Sequence, residues 1–190
     1  MRAFVSGLSA FIILFFIASV ATALEFSADI ESLMNGKVIK GTFYYKTDRR
    51  RIEGEAGDKK QISIVRMDKK LVWHIADQQK QYLELPLSEK DMMGLAVVTA
   101  LGEVKREKLG KEIVHGRSTV KYRIYCKINK NEGIIYQWID DEYRMPVKTS
   151  DQDGKFISEF RNIKPGRQPN GLFELPPGYT KFAIDLTKKQ

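Results

Sequence analysis

The stretch STVKYRIYCKI, Ser118 to Ile128, decides the fold class, because polar and apolar residues alternate along it. This alternation is typical of a half-buried β-strand, in which successive side chains point to opposite faces. The apolar positions, which would share one face, are Val120, Tyr122, Ile124, Cys126 and Ile128. The basic positions, which would share the other, are Lys121, Arg123 and Lys127. The stretch therefore predicts a strand with one apolar and one basic face.

Similar short runs recur along most of the chain after Leu24. Three of them follow one another as QISIVRM (61–67), KLVWHIA (70–76) and QKQYLEL (79–85), with polar turn residues between them. The pair Asp153-Gly154 is a strong signal for a later hairpin turn. Short strands at intervals of roughly ten residues are typical of an antiparallel meander. No Pro-, Gly- or Ser-rich linker divides these runs, so we expect a single domain.

One segment departs from the alternation. Ser88-Glu89-Lys90-Asp91 resembles a helix N-cap with an acidic residue at its third position, and the MMGLAVVTALG that follows is apolar nearly all round. A helix without a polar face must be covered on more than one side. The sequence therefore predicts a mainly β fold with a few helices (α+β). In it, a strongly curved antiparallel sheet, an incomplete β-barrel, has a helix covering its concave side.

Residues 1–23 have the three parts of a secretory signal peptide. They begin with a basic residue, continue with an apolar run over Phe11 to Val20, and end with the small residues of Ala21-Thr22-Ala23. Cleavage after Ala23 would leave residues 24–190 as one domain of ordinary size. The single cysteine, Cys126, does not lie at the cleavage site. We therefore expect a periplasmic protein without a lipid anchor.

The chain is basic, with a formal net charge of +8. An exported protein meets little nucleic acid, so the charge indicates either plain solubility or attraction to an anionic membrane surface. The run Arg49-Arg50-Arg51 follows a predicted hairpin turn, and alternation sends Arg50 to the face opposite its two neighbours. A nucleic-acid surface would need these side chains on one face, together with stacking aromatic residues. We therefore expect no nucleic-acid partner.

Sequence signatures of catalysis and metal binding are missing. The two histidines, His74 and His115, occur singly, and no His-x-x-His, Cys-x-x-Cys or Gly-x-Ser-x-Gly motif is present. Cys126 falls on a predicted apolar strand face, where a buried and unreactive thiol is expected. We therefore predict a protein that is not an enzyme and that has no metal site and no cofactor.

A large set of apolar residues remains on the strands and on the predicted helix. These residues form either plain core or, in part, the lining of a cavity under the helix, since curled sheets with wide interiors hold apolar ligands. Methionines would give such a cavity an adaptable lining. The candidate cavity residues are Ile39, Phe43, Tyr45, Ile64, Leu71, Trp73, Met92, Met93, Leu95, Tyr122 and Trp138.

Six segments in a fixed order resemble one known superfamily. They are FSADIE, GTFYYKTDRRRIEGE, SIVRMDKKLVWHIADQQKQYLELPL, EKLGKEIVHGRSTVKYRI, IYQWIDDEYRMPVKTS and GLFELPPGY. Together they resemble the LolA/LolB-like periplasmic lipoprotein carriers, and among them an outer-membrane lipoprotein-sorting-like branch. The resemblance spans essentially the whole mature chain. It implies an unclosed curved sheet with helices on its concave side, and a role in shielding acyl chains during transit across the periplasm. In these carriers an arginine helps to hold the lid closed, and the resemblance implies that Arg51 corresponds to it.

Two functions are therefore expected. The first is a periplasmic binding protein that holds a lipid, or the acyl chain of a lipid-modified protein, in an apolar cavity. The second is a non-enzymatic envelope interaction module with a filled core and a basic surface that docks on a partner or on anionic headgroups. In both cases we expect a monomer.

Overall fold

The computed structural model describes residues 24–34, 36–56, 59–88, 91, 98–128 and 131–182, and most of this part of the chain is β-structure. The strands are β1 Glu25–Met34, β2 Lys37–Lys46, β3 Arg49–Ala56, β4 Lys59–Arg66, β5 Leu71–Ala76, β6 Gln81–Pro86, β7 Glu103–Val114, β8 Arg117–Ile128, β9 Asn131–Asp140, β10 Pro146–Asp151, β11 Phe156–Pro165 and β12 Thr180–Lys181. Two short 3-10 turns, Asp77–Gln79 and Asn170–Phe173, lie between strands.

The twelve strands form one open sheet made of two antiparallel meanders. Their order across the sheet is β12-β6-β5-β4-β3-β2-β1-β11-β10-β9-β8-β7. The two meanders meet where β1 pairs antiparallel with β11, while its other side pairs with β2. One edge strand is β7, and the other is the short β12, which runs parallel to β6.

Cross-strand pairing assigns the strand residues to two faces, because direct partners lie on the same side of the sheet and neighbours in sequence alternate. Face A is defined here by Phe26, Tyr45 and Arg50, which are paired in succession across β1, β2 and β3. Face B is defined by Tyr44, Arg51 and Ile64, which are paired in succession across β2, β3 and β4.

An aromatic cluster forms the core on face A. Phe26 and Phe43 are fully buried. The ring centres of Phe26 and Tyr45 lie 5.1 Å apart, and those of Phe43 and Phe160 lie 4.8 Å apart. The small side chain of Ala28, opposite Phe43 on β1, leaves space for Phe43 and Phe160 to meet from the strands on either side. Such ring pairs contribute roughly 0.5–1.5 kcal/mol each beyond the burial of their surface.

A second core lies on face B, where the chain covers its own sheet. The C-terminal segment, defined as residues 166–182, crosses β3, β4, β5 and β6 after β11 ends. Its Phe173 has no exposed surface. The buried residues of this second core are Ile62, Ile64, Trp73, Ile75 and Phe173.

The predicted fold class is wrong. The described residues form a single open sheet without any helix of seven or more residues, which contradicts a helix covering the concave side. Residues 92–97, the centre of the predicted helix, lie outside the described residues. On their C-terminal side, Val98 and Thr99 form a bend, and residues 101–102 form the turn that leads into β7.

The composition of this segment accounts for the error. A short apolar run does not by itself distinguish a helix from other buried structure. Gly94 and the β-branched residues Val97, Val98 and Thr99 all lower helix propensity relative to alanine or leucine. The cap-like sequence does make a contact expected of a capping box, since the Ser88 N–H donates to the Asp91 carboxylate at 2.8 Å; the Ser88 hydroxyl donates to it as well, at 2.6 Å.

The close approach of β2 and β3 gives a test of the register. Gly41 lies opposite Gly54, and a Cβ at Gly41 would collide with the backbone carbonyl of Glu53. We predict that Gly41→Ala lowers the free energy of unfolding by about 1–3 kcal/mol, measured by urea denaturation. Gly133→Ala on β9 is the matched control, because a Cβ there meets nothing within 4 Å. Equal losses in the two variants would contradict this register.

Candidate functional site

The described candidate residues divide between the two faces. Tyr122 and Ile39 lie on the same face. Direct cross-strand partners connect them through Gln137, Thr149, Ser158 and Ser32. The candidates on face A are Ile39, Phe43, Tyr45 and Tyr122, and those on face B are Ile64, Leu71, Trp73 and Trp138. The pairing thus directs the two sets to opposite sides of the sheet, although Trp138 belongs to the same buried cluster as Phe43. Met92, Met93 and Leu95 lie outside the described residues.

Arg50 lies on face A, where it is the direct partner of Tyr45. Its side chain is 3% exposed. The guanidinium lies 5.0 Å from the centre of the Tyr45 ring, and Nη1 donates to the Met67 sulfur at 2.9 Å. Burial lowers the pKa of Arg50, while Tyr45 and Asp48 act in the opposite direction. The two-residue turn Thr47-Asp48 sets this register, because it pairs Tyr45 with Arg50.

Arg51 lies on face B and binds the C-terminal segment. Its Nε donates to Glu53 at 2.6 Å, and its Nη1 donates to the Leu172 carbonyl at 2.9 Å. Arg66, on the same face, donates to the carbonyl of the next residue, Phe173, at 3.0 Å. Two consecutive carbonyls of the C-terminal segment are thus fixed by two buried guanidinium groups. No local pattern in the sequence signals this contact, because it joins residues more than a hundred positions apart.

Carboxylates complete this cluster. Arg66 binds Glu174 at 2.6 Å and donates twice to Asp68, at 2.8 and 2.6 Å. The hydrogen bonds from Arg66 lower the pKa of Asp68 to about 2, against a weaker opposing effect of burial. Burial acts to raise the pKa of Glu174, but hydrogen bonds from Arg66 and Lys69 outweigh it, so the pKa is lowered. Both carboxylates are therefore ionised at neutral pH, and they neutralise part of the basic charge.

Grooves lined by described residues lie towards the margins of the sheet. One of about 550 Å³ is bordered by His74, Gln79 and Phe182 at the end of β5 and the start of β6. Another of about 690 Å³ lies beside Tyr143 and Arg167. Neither of the two is lined by the aromatic cluster of face A, whose rings pack against one another and against neighbouring side chains.

On the other half of face B, basic and aromatic side chains interleave. The Lys121 ammonium lies 4.7 Å from the centre of the Trp138 ring, and that of Lys148 lies 5.1 Å from it. Lys121 also pairs with Glu112 at 3.0 Å, and Lys148 with Glu159 at 2.8 Å. Because each cation has both a ring and a carboxylate, this surface is a network of paired charges rather than a strongly cationic patch.

The titratable groups with catalytic potential are held in pairs. His74 Nδ1 lies 2.9 Å from the Ser63 hydroxyl, and His115 Nε2 lies 2.8 Å from Glu159. Burial raises the pKa of Cys126, which keeps the thiol protonated at neutral pH. Within the described ranges, no group of three or more His, Cys, Asp and Glu side chains is arranged to hold a metal ion. No helix in the same part of the chain has the length and apolar character needed to cross a membrane.

Solved structures share this fold at low sequence identity. An uncharacterized conserved protein from Thermus thermophilus has a TM-score of 0.60 at 10% identity, over 85% of this chain and 91% of that one. MucB, in its complex with MucA(peri), has a TM-score of 0.53 at 13% identity, over 81% of this chain and 55% of that one. At these identities the matches show a shared fold alone. They do not single out the outer-membrane lipoprotein-sorting-like branch.

The sequence itself matches one family. No curated protein matches it. Residues 27–141 match the family described as a domain of unknown function, DUF4412. The matched region runs from β1 to the end of β9, so that β10, β11 and the C-terminal segment lie beyond it. Since the match spans more than half of the chain, this chain belongs to the DUF4412 family.

Proposed function

We propose that this protein is an exported, non-enzymatic binding protein of the periplasm that holds an acyl chain, of a lipid or of a lipid-modified protein, against face A. The single observation that carries the proposal is the chemical difference between the two faces of the central strands. Face A there presents mostly aromatic and aliphatic side chains, with Arg50 buried among them. The charged side chains that alternate onto face B of β1, β2 and β3 include Asp29, Glu31, Lys40, Lys46, Arg51 and Glu53.

Several properties of face A support this function. Its aromatic cluster continues onto Val65 and Val72 on one side and Val147 on the other, all of them buried. At the far end of β2, Ile39 remains 42% exposed on the same face. Apolar side chains on one face of an open sheet suit acyl chains, which bind through burial of apolar area rather than through directional contacts. Export would bring such a surface to the compartment in which lipids and lipoproteins are carried.

A second candidate function is an envelope interaction module with a filled core. Its specific support is that Phe26, Phe43 and Ile124 have no exposed surface. The neighbour MucB was solved in complex with MucA(peri), so a protein of similar fold binds a protein partner. In this alternative, face A is plain core and the partner docks elsewhere.

The two functions are separated by measuring bound lipid. Native mass spectrometry of the protein purified from its own host should show a lipid adduct, and the protein should take up a fluorescent fatty acid. If neither lipid nor uptake is found, face A is core and the proposed function fails. Salt-sensitive binding to anionic vesicles without any bound lipid would then support the interaction module.

Two neighbouring residues of β2 give a matched pair for this test. Ile39 and Val38 are 42% and 56% exposed on β2, and alternation places them on face A and face B respectively. We predict that Ile39→Arg weakens uptake of the fluorescent fatty acid about tenfold, or ~1.4 kcal/mol, because a charge would meet the acyl chain. Val38→Arg should leave uptake unchanged. Equal effects of the two substitutions would contradict binding on face A.

The proposed export to the periplasm can be tested separately. If residues 1–23 are removed on secretion, the protein recovered from the periplasmic fraction begins at Leu24. Its intact mass and its N-terminal sequence should both show this start. A protein that keeps Met1 and stays with the cytoplasmic fraction would contradict the proposed localisation.

A further inference from the structure

The groove on face B under the C-terminal segment has the contacts of a peptide-recognition site. Its floor consists of Ile62, Ile64, Trp73 and Ile75, and Phe173 packs against them with no exposed surface. A fully buried phenylalanine contributes roughly 1.5–3 kcal/mol through burial alone. The floor therefore recognises one aromatic side chain of the segment that lies on it.

Polar groups of the groove bind the main chain of that segment. The carbonyls of Leu172 and Phe173 accept hydrogen bonds from Arg51 and Arg66, as described above, and the carbonyl of Gln168 accepts one from Lys46 at 3.2 Å. Near its end, the Phe182 N–H donates to the Tyr82 carbonyl at 2.8 Å, which adds the segment to the edge of β6. Main-chain contacts of this kind give affinity that does not depend on sequence, whereas pockets for side chains give specificity.

A basic rim binds the acidic residue that follows Phe173. The carboxylate of Glu174 lies 2.6 Å from Arg66, 3.3 Å from Lys69 and 3.7 Å from Arg49. Guanidinium groups bind carboxylates with defined geometry, so this rim selects for an acid at one position. The groove thus fits an apolar residue, an aromatic residue and an acid in succession, which is the order of Leu172-Phe173-Glu174.

The segment is also held beyond Glu174. Leu175 and Tyr179 pack against the face B core, the Tyr179 hydroxyl donates to Asp77, and Lys181 pairs with Glu84 at 2.7 Å. Pro177, Gly178, Thr180 and Lys181 are exposed. Two backbone hydrogen bonds, from Thr180 to Lys80 and from Phe182 to Tyr82, join this part to the sheet. Release of the segment therefore requires that these contacts be broken together with those of Phe173 and Glu174.

We propose that this groove is a peptide-binding site that the chain's own C-terminal segment occupies, and that a partner protein's segment with the same apolar–aromatic–acidic pattern can replace it. The charge complementarity between the basic rim and the acid identifies this occupant. The resident segment has the advantage of being attached to the same chain, which gives it an effective concentration in the millimolar range. Exchange therefore requires that the resident segment be weakened or that the partner bind more tightly.

The test uses a labelled peptide of residues 167–182 and the full chain. In the Phe173→Ala chain the resident segment competes less well. We expect the peptide to bind this variant at least about tenfold more tightly than it binds the unmodified chain, measured by fluorescence anisotropy. A peptide carrying both Phe173→Ala and Glu174→Ala is the matched control and should not bind. Near-UV circular dichroism checks that the variant is folded, and the Glu174→Ala chain replaces it if it is not.

Each possible result either supports or overturns the proposed peptide-binding site. Tight binding of the unmodified peptide together with loss of binding by the control peptide supports a sequence-specific groove. Equal binding of the two peptides, or no binding to a folded variant, overturns the proposal. None of these results depends on lipid binding to face A.

The acid makes peptide binding dependent on pH. In the groove the pKa of Glu174 is lowered, so binding is fully present above the ordinary glutamate pKa of about 4.3 and weakens as the pH falls below it. The Glu174→Gln peptide should bind more weakly at pH ~7 and should lack this loss between pH ~5 and ~3. The same pH profile for both peptides would show that the carboxylate is not recognised.

Discussion

The antiparallel pairing of β1 with β11 is the contact on which the rest of the structure depends. It joins the meander of the first half to the meander of the second half, and it brings together residues such as Ile30 and Phe160 that are far apart in sequence. Closing so long a loop costs more conformational entropy than closing a local hairpin. The aromatic cluster on face A offsets this cost, because Phe160 from one meander packs on Phe26 and Phe43 from the other. The family match ends at residue 141, yet the two halves of the sheet meet through β10 and β11 beyond it.

The strands could be predicted because they are encoded locally. Alternation over Ser118 to Ile128 and over residues 61–85 corresponds to β8 and to β4, β5 and β6. The faces could not be assigned in the same way. Phe43 and Trp73 are both apolar positions in alternating strands, and only the register across β3 and β4 shows that they point to opposite sides. Arg51 was matched by the resemblance alone, and only the register shows that it lies on face B while Arg50 lies on face A.

Other features depended on contacts that no local pattern contains. The segment around Leu172 and Phe173 has neither strand alternation nor helical periodicity, and its position is fixed by guanidinium groups and an apolar floor elsewhere in the chain. The helix expected near Met92 was inferred from apolar composition and a cap-like sequence. Those signals indicate that a segment is apolar and where a turn begins, but the conformation of the segment depends on tertiary packing.

The basic charge of the chain and the apolar character of face A have a common explanation. Alternation sends the arginines and lysines of the central strands largely to face B, and this leaves face A to aromatic and aliphatic side chains. Buried cations are costly unless they are paired and hydrogen-bonded. On face B, the C-terminal segment supplies those partners as backbone carbonyls and the carboxylate of Glu174. The buried cations of face B therefore need the segment as a partner, and they are also the groups that would recognise it. A replacement would have to present the same carbonyls and the same acid. On face A the buried guanidinium of Arg50 has partners within the sheet, Met67 and Tyr45, so an occupant of the apolar part of that face would be selected by apolar area.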